Sequence, residues 1–319
     1  MALAIMCSGG DAPGMNPAIK KFVDYASKKG KDAYLIYDGL EGLIDDKIKK
    51  ACHDDVAGIT HIGGTIIRSS RSKRFFEKSY REMAYNNLKT RDIEGVVVLG
   101  GDGSFRAMEV FSNEFDMKFV GIPSTIDNDI YGTEYCLGVD TALNVIRDAL
   151  DKIRDTAASF NRAFIVEVMG RDCGFLAVVS AMISGAEICV IPEVEFHGQA
   201  LEKRLSKEIK DGRNYVLAIV SEGSNQTSEM HKWMEDKLGL ETRVSILGHI
   251  QRGGNPTVHD RLMAFDFTIK AVDYLLKHND SNKVVVYNKG NFDFMDIQEV
   301  VSNKYELPKH YLNAINYLD

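Results

Sequence analysis

The chain has 319 residues, 45% of them hydrophobic and 27% charged, with a formal net charge of -7; that is enough for one large or two medium domains, and two lobes are the default expectation. The acidic balance argues against non-specific nucleic-acid or membrane-surface binding, which need broad positive surface, so any anionic ligand must be held by local arginine clusters. Five scattered cysteines (Cys7, Cys52, Cys136, Cys173, Cys189) without CxxC spacing point to neither a disulfide framework nor a zinc site and fit a reducing cytoplasm, and neither a targeting segment nor an apolar run of membrane-spanning length is visible.

Residues 2–7 read as a buried strand, followed by the loop Ser8-Gly9-Gly10-Asp11-Ala12-Pro13-Gly14-Met15 and a helix. Asn16 is the expected N-cap, Pro17 suits the first helical position and Gly30 supplies the stop. Ile19, Phe22, Val23 and Ala26 recur at helical spacing, so one face packs on a sheet. In a strand, glycine loop and helix, backbone amides and the helix dipole hold a phosphate. The loop matches neither GxGxxG nor GxxxxGK[ST], and by itself it also fits a plain tight turn.

Residues 32–37 form the next expected strand, with Asp38-Gly39 as a turn. Gly63-Gly64-Thr65 leads into a basic loop in which Arg68 and Arg71 are placed to reach phosphates, while Lys73 and Arg74 read as solvated surface. The apolar strand 95–99 ends in Gly100-Gly101-Asp102-Gly103-Ser104, after which a helix begins. Backbone amides of such a run cradle phosphates while the aspartate holds their Mg2+, a pattern also found in NAD and lipid kinases. Strand 118–122 delivers Pro123-Ser124-Thr125-Ile126-Asp127-Asn128-Asp129, at the strand end where ligands collect in α/β sheets. If that segment stays extended, Asp127 and Asp129 share one face, one to take a proton and one to help hold a cation. Taken alone it also fits an Asx-rich turn.

A helix beginning near Asp140 carries Leu143, Ile146, Leu150 and Ile153 and is expected to end at Arg154-Asp155. Strand 163–168 leads into Met169-Gly170-Arg171-Asp172-Cys173-Gly174, and strands 187–191 and 215–220 follow, the second delivering Glu222. Leu201, Leu205 and Ile209 stripe the helix between them. Residues 244–247 precede a glycine-rich loop with His249 and Arg252, which together with Arg243 suit a phosphate monoester. A helix over 257–278, a strand over 283–287 and a weakly helical tail from 296 complete the chain. Alternating strands and helices predict an α/β fold, with parallel-dominated sheets covered by helices on both faces.

Five motifs, Ser8 to Asn16, Gly100 to Ser104, Thr125 to Asp129, Met169-Gly170-Arg171 and Leu247 to Gly254, together resemble the bacterial 6-phosphofructokinase family over nearly the full chain. The resemblance implies two Rossmann-like lobes, a large ATP-binding one (1–138 plus 251–301) and a smaller sugar-phosphate one (139–250 plus 302–319). It further implies a homotetramer with the active site in the cleft between lobes, completed by a neighbouring subunit, and phosphorylation of the 1-hydroxyl of fructose 6-phosphate by Mg-ATP in the cytoplasm. Carried over by position, Asp127 is the general base, Asp102 the Mg2+ ligand and Asp129 a supporting carboxylate. Gly10, Arg71, Ser72, Gly101, Asp102, Gly103 and Ser104 correspond to ATP contacts. Thr125, Arg71 and Arg171 would stabilise charge on the transferring group. Ile126, Met169, Gly170, Glu222, His249 and Arg252 match the sugar-phosphate site, which Arg162 and Arg243 reach from the adjacent subunit.

Gly103 and Ser124 stand where pyrophosphate-using relatives carry aspartate and lysine, so the resemblance favours ATP; Leu40 replaces a tyrosine that often flanks the adenine. The family's effector pocket is altered. Lys20, Arg154, Gly185, Glu187 and Arg213 match it, but Asp24, His53 and Asp211 fall where basic residues are usual, which implies weak control by ADP and phosphoenolpyruvate. The alternative is a pyrophosphate-dependent or other ketose-phosphate kinase of the same fold. An NAD or lipid kinase would leave the arginine set without a task, and a catalytically dead nucleotide sensor does not fit the intact Asp102, Asp127 and Asp129.

Overall fold

Apolar runs bounded by glycine turns form eleven strands in two sheets, as described over residues 2–279 and 282–318 of a computed structural model. They are β1 (Ala2–Cys7), β2 (Asp32–Ile36), β3 (Ile48–Ala51), β4 (Ile93–Gly100), β5 (Lys118–Pro123), β6 (Ala163–Val168), β7 (Ile188–Val190), β8 (Val216–Ser221), β9 (Thr242–Ile246), β10 (Lys283–Asn288) and β11 (Asn291–Asp296). The chain divides into two compact units, Met1–Thr141 with Arg252–Tyr305 and Ala142–Gln251 with Glu306–Asp319.

The first unit is built on a seven-stranded sheet in the order β11-β10-β5-β4-β1-β2-β3. Its five inner strands are parallel, and β1 and β4 are buried along almost their full length. Continuous apolar strands of this kind belong in a sheet covered on both faces. The helix Met15–Lys28 contributes Ile19, Phe22 and Val23 to the core, each worth about 1.5–3 kcal/mol of burial. The second unit has four parallel strands in the order β7-β8-β6-β9. Ile165, Val190, Leu205 and Met230 are in its core, with Leu201 and Ile209 packed against it.

Both edges of the larger sheet depart from the simple alternation of strand and helix, because β3 and β11 are antiparallel. Lys49 and Lys50 keep β3 charged, which suits an edge strand. β10 and β11 are joined by Lys289-Gly290, both at positive φ (49° and 81°), the backbone of a tight type I′ hairpin. Lys-Gly lacks the Asn-Gly signature of such turns, so sequence pattern alone did not reveal it.

Three helix ends differ from expectation. Gly14, in the left-handed region, is the N-cap of the first helix, and Asn16 lies inside it. The Asn16 amide instead donates to the carbonyls of Ile62 and Gly63 and accepts from the Ile66 amide at 2.7 Å, pinning the basic loop to the helix. The helix Val139–Phe160 continues past Arg154-Asp155, since no helix breaker intervenes before Asn161 at φ 51°. Asp38-Gly39 starts a short helix, Gly39–Ile44, with both residues at positive φ.

Candidate active site

In the larger sheet β1 lies between β2 and β4, with β5 next to β4. The chain therefore leaves β1 on one side and later returns on the other, and α/β sheets bind ligands beyond the carboxyl ends of strands at such a switch point. The loops that follow β1, β4 and β5 here are the three glycine- or carboxylate-rich motifs. Backbone bonds stitch them together, Ser8 N–H to Leu99 O and Ser124 N–H to Gly100 O, both at 2.9 Å. The buried hydroxyls of Ser8 and Ser104 meet at 2.9 Å. A Cβ on Gly100 would fall 2.6 Å from Ser104 Oγ and 2.9 Å from Ser8 O, so packing itself demands glycine there.

Gly10 and Gly103 differ in what surrounds them. A Cβ on Gly10 would stand 2.6 Å from Arg252 Nη1, a group that also donates to Asp11 O at 3.3 Å. Arg252 thus belongs to the Gly10 loop in the first unit. At Gly103 a Cβ would meet nothing within 4 Å, and the residue is helical. Neither packing nor backbone strain calls for glycine at this open position beside Asp102. Asp102 opens the helix Asp102–Glu114, is 41% exposed and pairs with Arg106 at 2.8 Å.

The carboxylate-rich loop turns. Asp127 N–H donates to Thr125 Oγ1 at 3.2 Å, and Asn128 adopts φ 53°. The Asn128 side chain donates to Glu134 O and accepts from Cys136 N–H, which locks that turn. Asp127 and Asp129 are therefore not neighbours on one extended face. Ile126 and Asp127 are fully buried, whereas Thr125 and Asp129 are partly exposed. Mg2+ fits Asp102 in the manner of a site completed by substrate phosphates and water, which needs only one or two protein carboxylates. The described residues contain no cluster of three or more metal-ligating side chains.

Four residues of the basic loop have separate fates. Arg68 is paired with Asp38 at 2.6 Å. Arg74, expected as solvated surface, bridges Glu41 and Asp45, because the helix Gly39–Ile44 brings acids to it. Ser72 Oγ accepts from Phe75 N–H at 3.1 Å. Arg71 is exposed and without an ion pair among the described residues.

In the second unit, the ends of β6 and β8 carry Met169-Gly170-Arg171 and Glu222. Arg171 sits at φ 51° and its N–H donates to Glu222 Oε1 at 3.1 Å. Gly170 has φ 141°, and a Cβ on Gly223 would fall 1.6 Å from Arg171 O. Gln251, fully buried, accepts from Met169 N–H at 3.1 Å and donates to Gly248 O, tying the exposed His249 turn to the end of β6. Arg162 and Arg243 are also brought together: both bind the Glu241 carboxylate, Arg162 Nε at 2.7 Å. Sequence reasoning missed Gln251 and Glu241. An acid two residues before an arginine on a strand shares its face, and that spacing was the available signal.

The residues expected to line an effector pocket fall into two groups. In the first unit Lys20 and His53 both contact Asp24 at 2.8 Å, so Asp24 is compensated within the fold. Burial works against its charged form, yet the bonds from Lys20 and His53 prevail and hold its carboxyl below the usual range. In the second unit Glu187 is buried, pairs with Arg213 and accepts from Leu217 N–H at 2.6 Å; Arg154 lies in its electrostatic field. Burial nevertheless pushes the Glu187 carboxyl up. Gly185 at φ 58° closes a helix and Asp211 caps another. Arg204 and Glu208, not anticipated, join this cluster.

The phosphofructokinase family model matches residues 2–275. The chain belongs to the phosphofructokinase family. Among the similar members, the ATP-dependent 6-phosphofructokinase of Sulfurimonas denitrificans is 57% identical over 314 residues, covering 98% of each chain. The phosphofructokinase of Saccharomyces cerevisiae superposes with a TM-score of 0.90 at 34% identity over 100% of this chain, which spans 47% of that longer one. The pyrophosphate-dependent phosphofructokinase of Marinobacter aquaeolei reaches a TM-score of 0.82 at 19% identity, covering 99% of this chain and 91% of its own, and shares the fold.

Proposed function

We infer that this family member transfers the terminal phosphoryl group of ATP to the 1-hydroxyl of fructose 6-phosphate, giving fructose 1,6-bisphosphate and ADP. What carries this is the convergence of Gly10, Gly101 to Ser104 and Asp127 at adjacent parallel strand ends, in a chain 57% identical to an ATP-dependent 6-phosphofructokinase. Asp127 takes the proton of the attacking hydroxyl, and its burial beside a locked turn keeps it in place. The amides of the Gly10 and Gly101–Ser104 loops, with Arg71 and Ser72, hold the ATP phosphates. Thr125, Arg71 and Arg171 meet charge on the transferring group. Mg2+, held by Asp102 with Asp129 in support, neutralises phosphate charge when bound. Ile126, Met169, Gly170, Glu222, His249 and Arg252 orient the sugar phosphate, and Arg162 and Arg243 serve the site of a neighbouring subunit in a homotetramer.

Residues 1–138 with 251–301 are the ATP-binding lobe and 139–250 with 302–319 the sugar-phosphate lobe in this proposal, and the enzyme works in the cytoplasm. The altered set Lys20, Asp24, His53, Arg154, Gly185, Glu187, Asp211 and Arg213 gives weak control by ADP and phosphoenolpyruvate.

The open space at Gly103 supports ATP as donor, since a side chain there would enter room beside the phosphate loop. Ser124 is buried, with its hydroxyl donating to Ile122 O at 3.0 Å, and leaves no charged group at the second donor-determining position. The test is the initial rate with fructose 6-phosphate and Mg2+, comparing ATP with pyrophosphate. Activity with ATP and not with pyrophosphate is expected; turnover with pyrophosphate alone would overturn the donor assignment.

A further inference from the structure

Arg162 immediately precedes β6, and Glu241 immediately precedes β9. The two strands are parallel, with Ala163 opposite Thr242 and Phe164 opposite Arg243. Ala163 N–H donates to Glu241 O at 3.0 Å, so the pairing continues outward to Arg162 and Glu241. Paired residues of neighbouring strands point to the same face, and so do residues two apart on one strand. Arg162, Glu241 and Arg243 therefore project from one face at the amino-terminal rim of the sheet. Ala163 and Thr242 point the opposite way into the protein and are buried.

On that face the carboxylate is shared. Arg162 Nε binds Glu241 Oε2 at 2.7 Å, and Arg243 binds Oε1. The Arg162 guanidinium, with Arg243 beside it, holds the Glu241 carboxyl below its usual range, so it is ionised at neutral pH. Arg162 has a second restraint, its guanidinium lying 5.0 Å from the centre of the Phe160 ring. Arg243 has no other ion pair among the described residues. Two long, partly exposed side chains on neighbouring strand ends would otherwise sample many rotamers, and binding an anion would have to order both. A single carboxylate bridging them keeps two planar donor groups side by side, a spacing that suits two oxygens of one phosphate. The trio retains one net positive charge.

We propose that Glu241 is a positioning residue for substrate binding, a counter-ion that pre-orders Arg162 and Arg243 as a paired receptor for the sugar phosphate. It acts through the arginines and makes no contact with the reacting atoms. The proposal rests on the assignment of Arg162 and Arg243 to the sugar 6-phosphate given above. Removing one negative charge also favours an anion electrostatically, but Glu241 is 47% exposed and solvent screens that gain. Loss of order in both arginines is expected to dominate.

The experiment measures kcat and the KM values for fructose 6-phosphate and ATP in the intact enzyme and in Glu241→Gln, Glu241→Asp, Arg162→Ala, Arg243→Ala, the double variant Arg162→Ala/Arg243→Ala and the triple variant Glu241→Gln/Arg162→Ala/Arg243→Ala. In Glu241→Gln the KM for fructose 6-phosphate should rise about tenfold, with kcat and the KM for ATP within about twofold, and Glu241→Asp should recover part of the loss. Adding Glu241→Gln to the two arginine substitutions should change that KM by less than about twofold, since the residue works through them. An unchanged or lowered KM in Glu241→Gln, or a full further loss in the triple variant, would overturn the positioning role. If neither arginine substitution raises the KM, the assignment of the arginines has failed, which is a separate result from a failure at Glu241.

Discussion

The strand-end region of the first unit and the arginine rim of the second hold their polar groups in place by opposite physical means. At the ends of β1, β4 and β5, groups are placed by backbone: amide-to-carbonyl stitches, a buried pair of serine hydroxyls and glycines whose missing Cβ leaves room for a neighbour. At the rim, Arg162, Glu241 and Arg243 are placed by one another's charge, with side chains 31%, 47% and 55% exposed. Buried backbone geometry cannot relax without leaving polar groups unsatisfied. Exposed ion pairs contribute roughly 0–1 kcal/mol and yield to a competing ligand. The first arrangement suits reacting atoms, which tolerate little displacement. The second suits recognition of a group that must arrive from solvent.

Substitutions can break this contrast, and the largest effect is expected at Asp127. Asp127→Asn keeps the shape of a buried side chain and removes its basicity, so kcat should fall by about 10²–10⁴. The KM for fructose 6-phosphate should move only a few-fold. A kcat within tenfold of the unsubstituted enzyme would remove Asp127 from the chemistry. A smaller effect is expected at Gly223, beyond the carboxyl ends of β6 and β8, where the Arg171 turn depends locally on packing. Gly223→Ala would drive a Cβ to 1.6 Å from Arg171 O, a backbone atom that cannot swing aside. Chemical denaturation should show a loss of about 1–3 kcal/mol, together with a raised KM for the sugar phosphate. Unchanged values of both would mean that the 171–174 turn is freer than its geometry indicates.

The smallest effect belongs to the partly exposed Lys20–Asp24–His53 group. Asp24 has a depressed pKa in the folded protein, so its contribution to stability is present above the unfolded value near 3.8 and is lost as pH falls through the lower folded value. The melting temperature of Asp24→Asn should lie slightly below that of the unsubstituted protein at about pH 5, and the margin should close below about pH 4. A margin that instead grew in acid would show that Asp24 is destabilising as a carboxylate, returning it to the role of an anion-repelling charge.

Much of this protein was legible from local pattern. The apolar runs of β1, β4, β5, β6 and β8, the helical stripe of Ile19, Phe22, Val23 and Ala26, and the polar motif after each strand depend on neighbours within a few residues. They therefore established an α/β fold and the chemistry of its loops. The recurrence of five such motifs in order also pointed to the family. Tertiary structure alone decided what depended on distant partners. Asn16 read as a cap because that is what asparagine does locally, yet its amide serves residues 62–66. Arg252 read as one of a basic set, but lies on the Gly10 loop 242 positions earlier. For Glu241 the spacing to Arg243 hinted only at a shared face, and the second arginine came within reach when β6 and β9 paired. The physical reason is that backbone preference is written in adjacent residues, whereas a buried or shared polar group is defined by whichever donor or acceptor the completed sheet brings within about 3 Å.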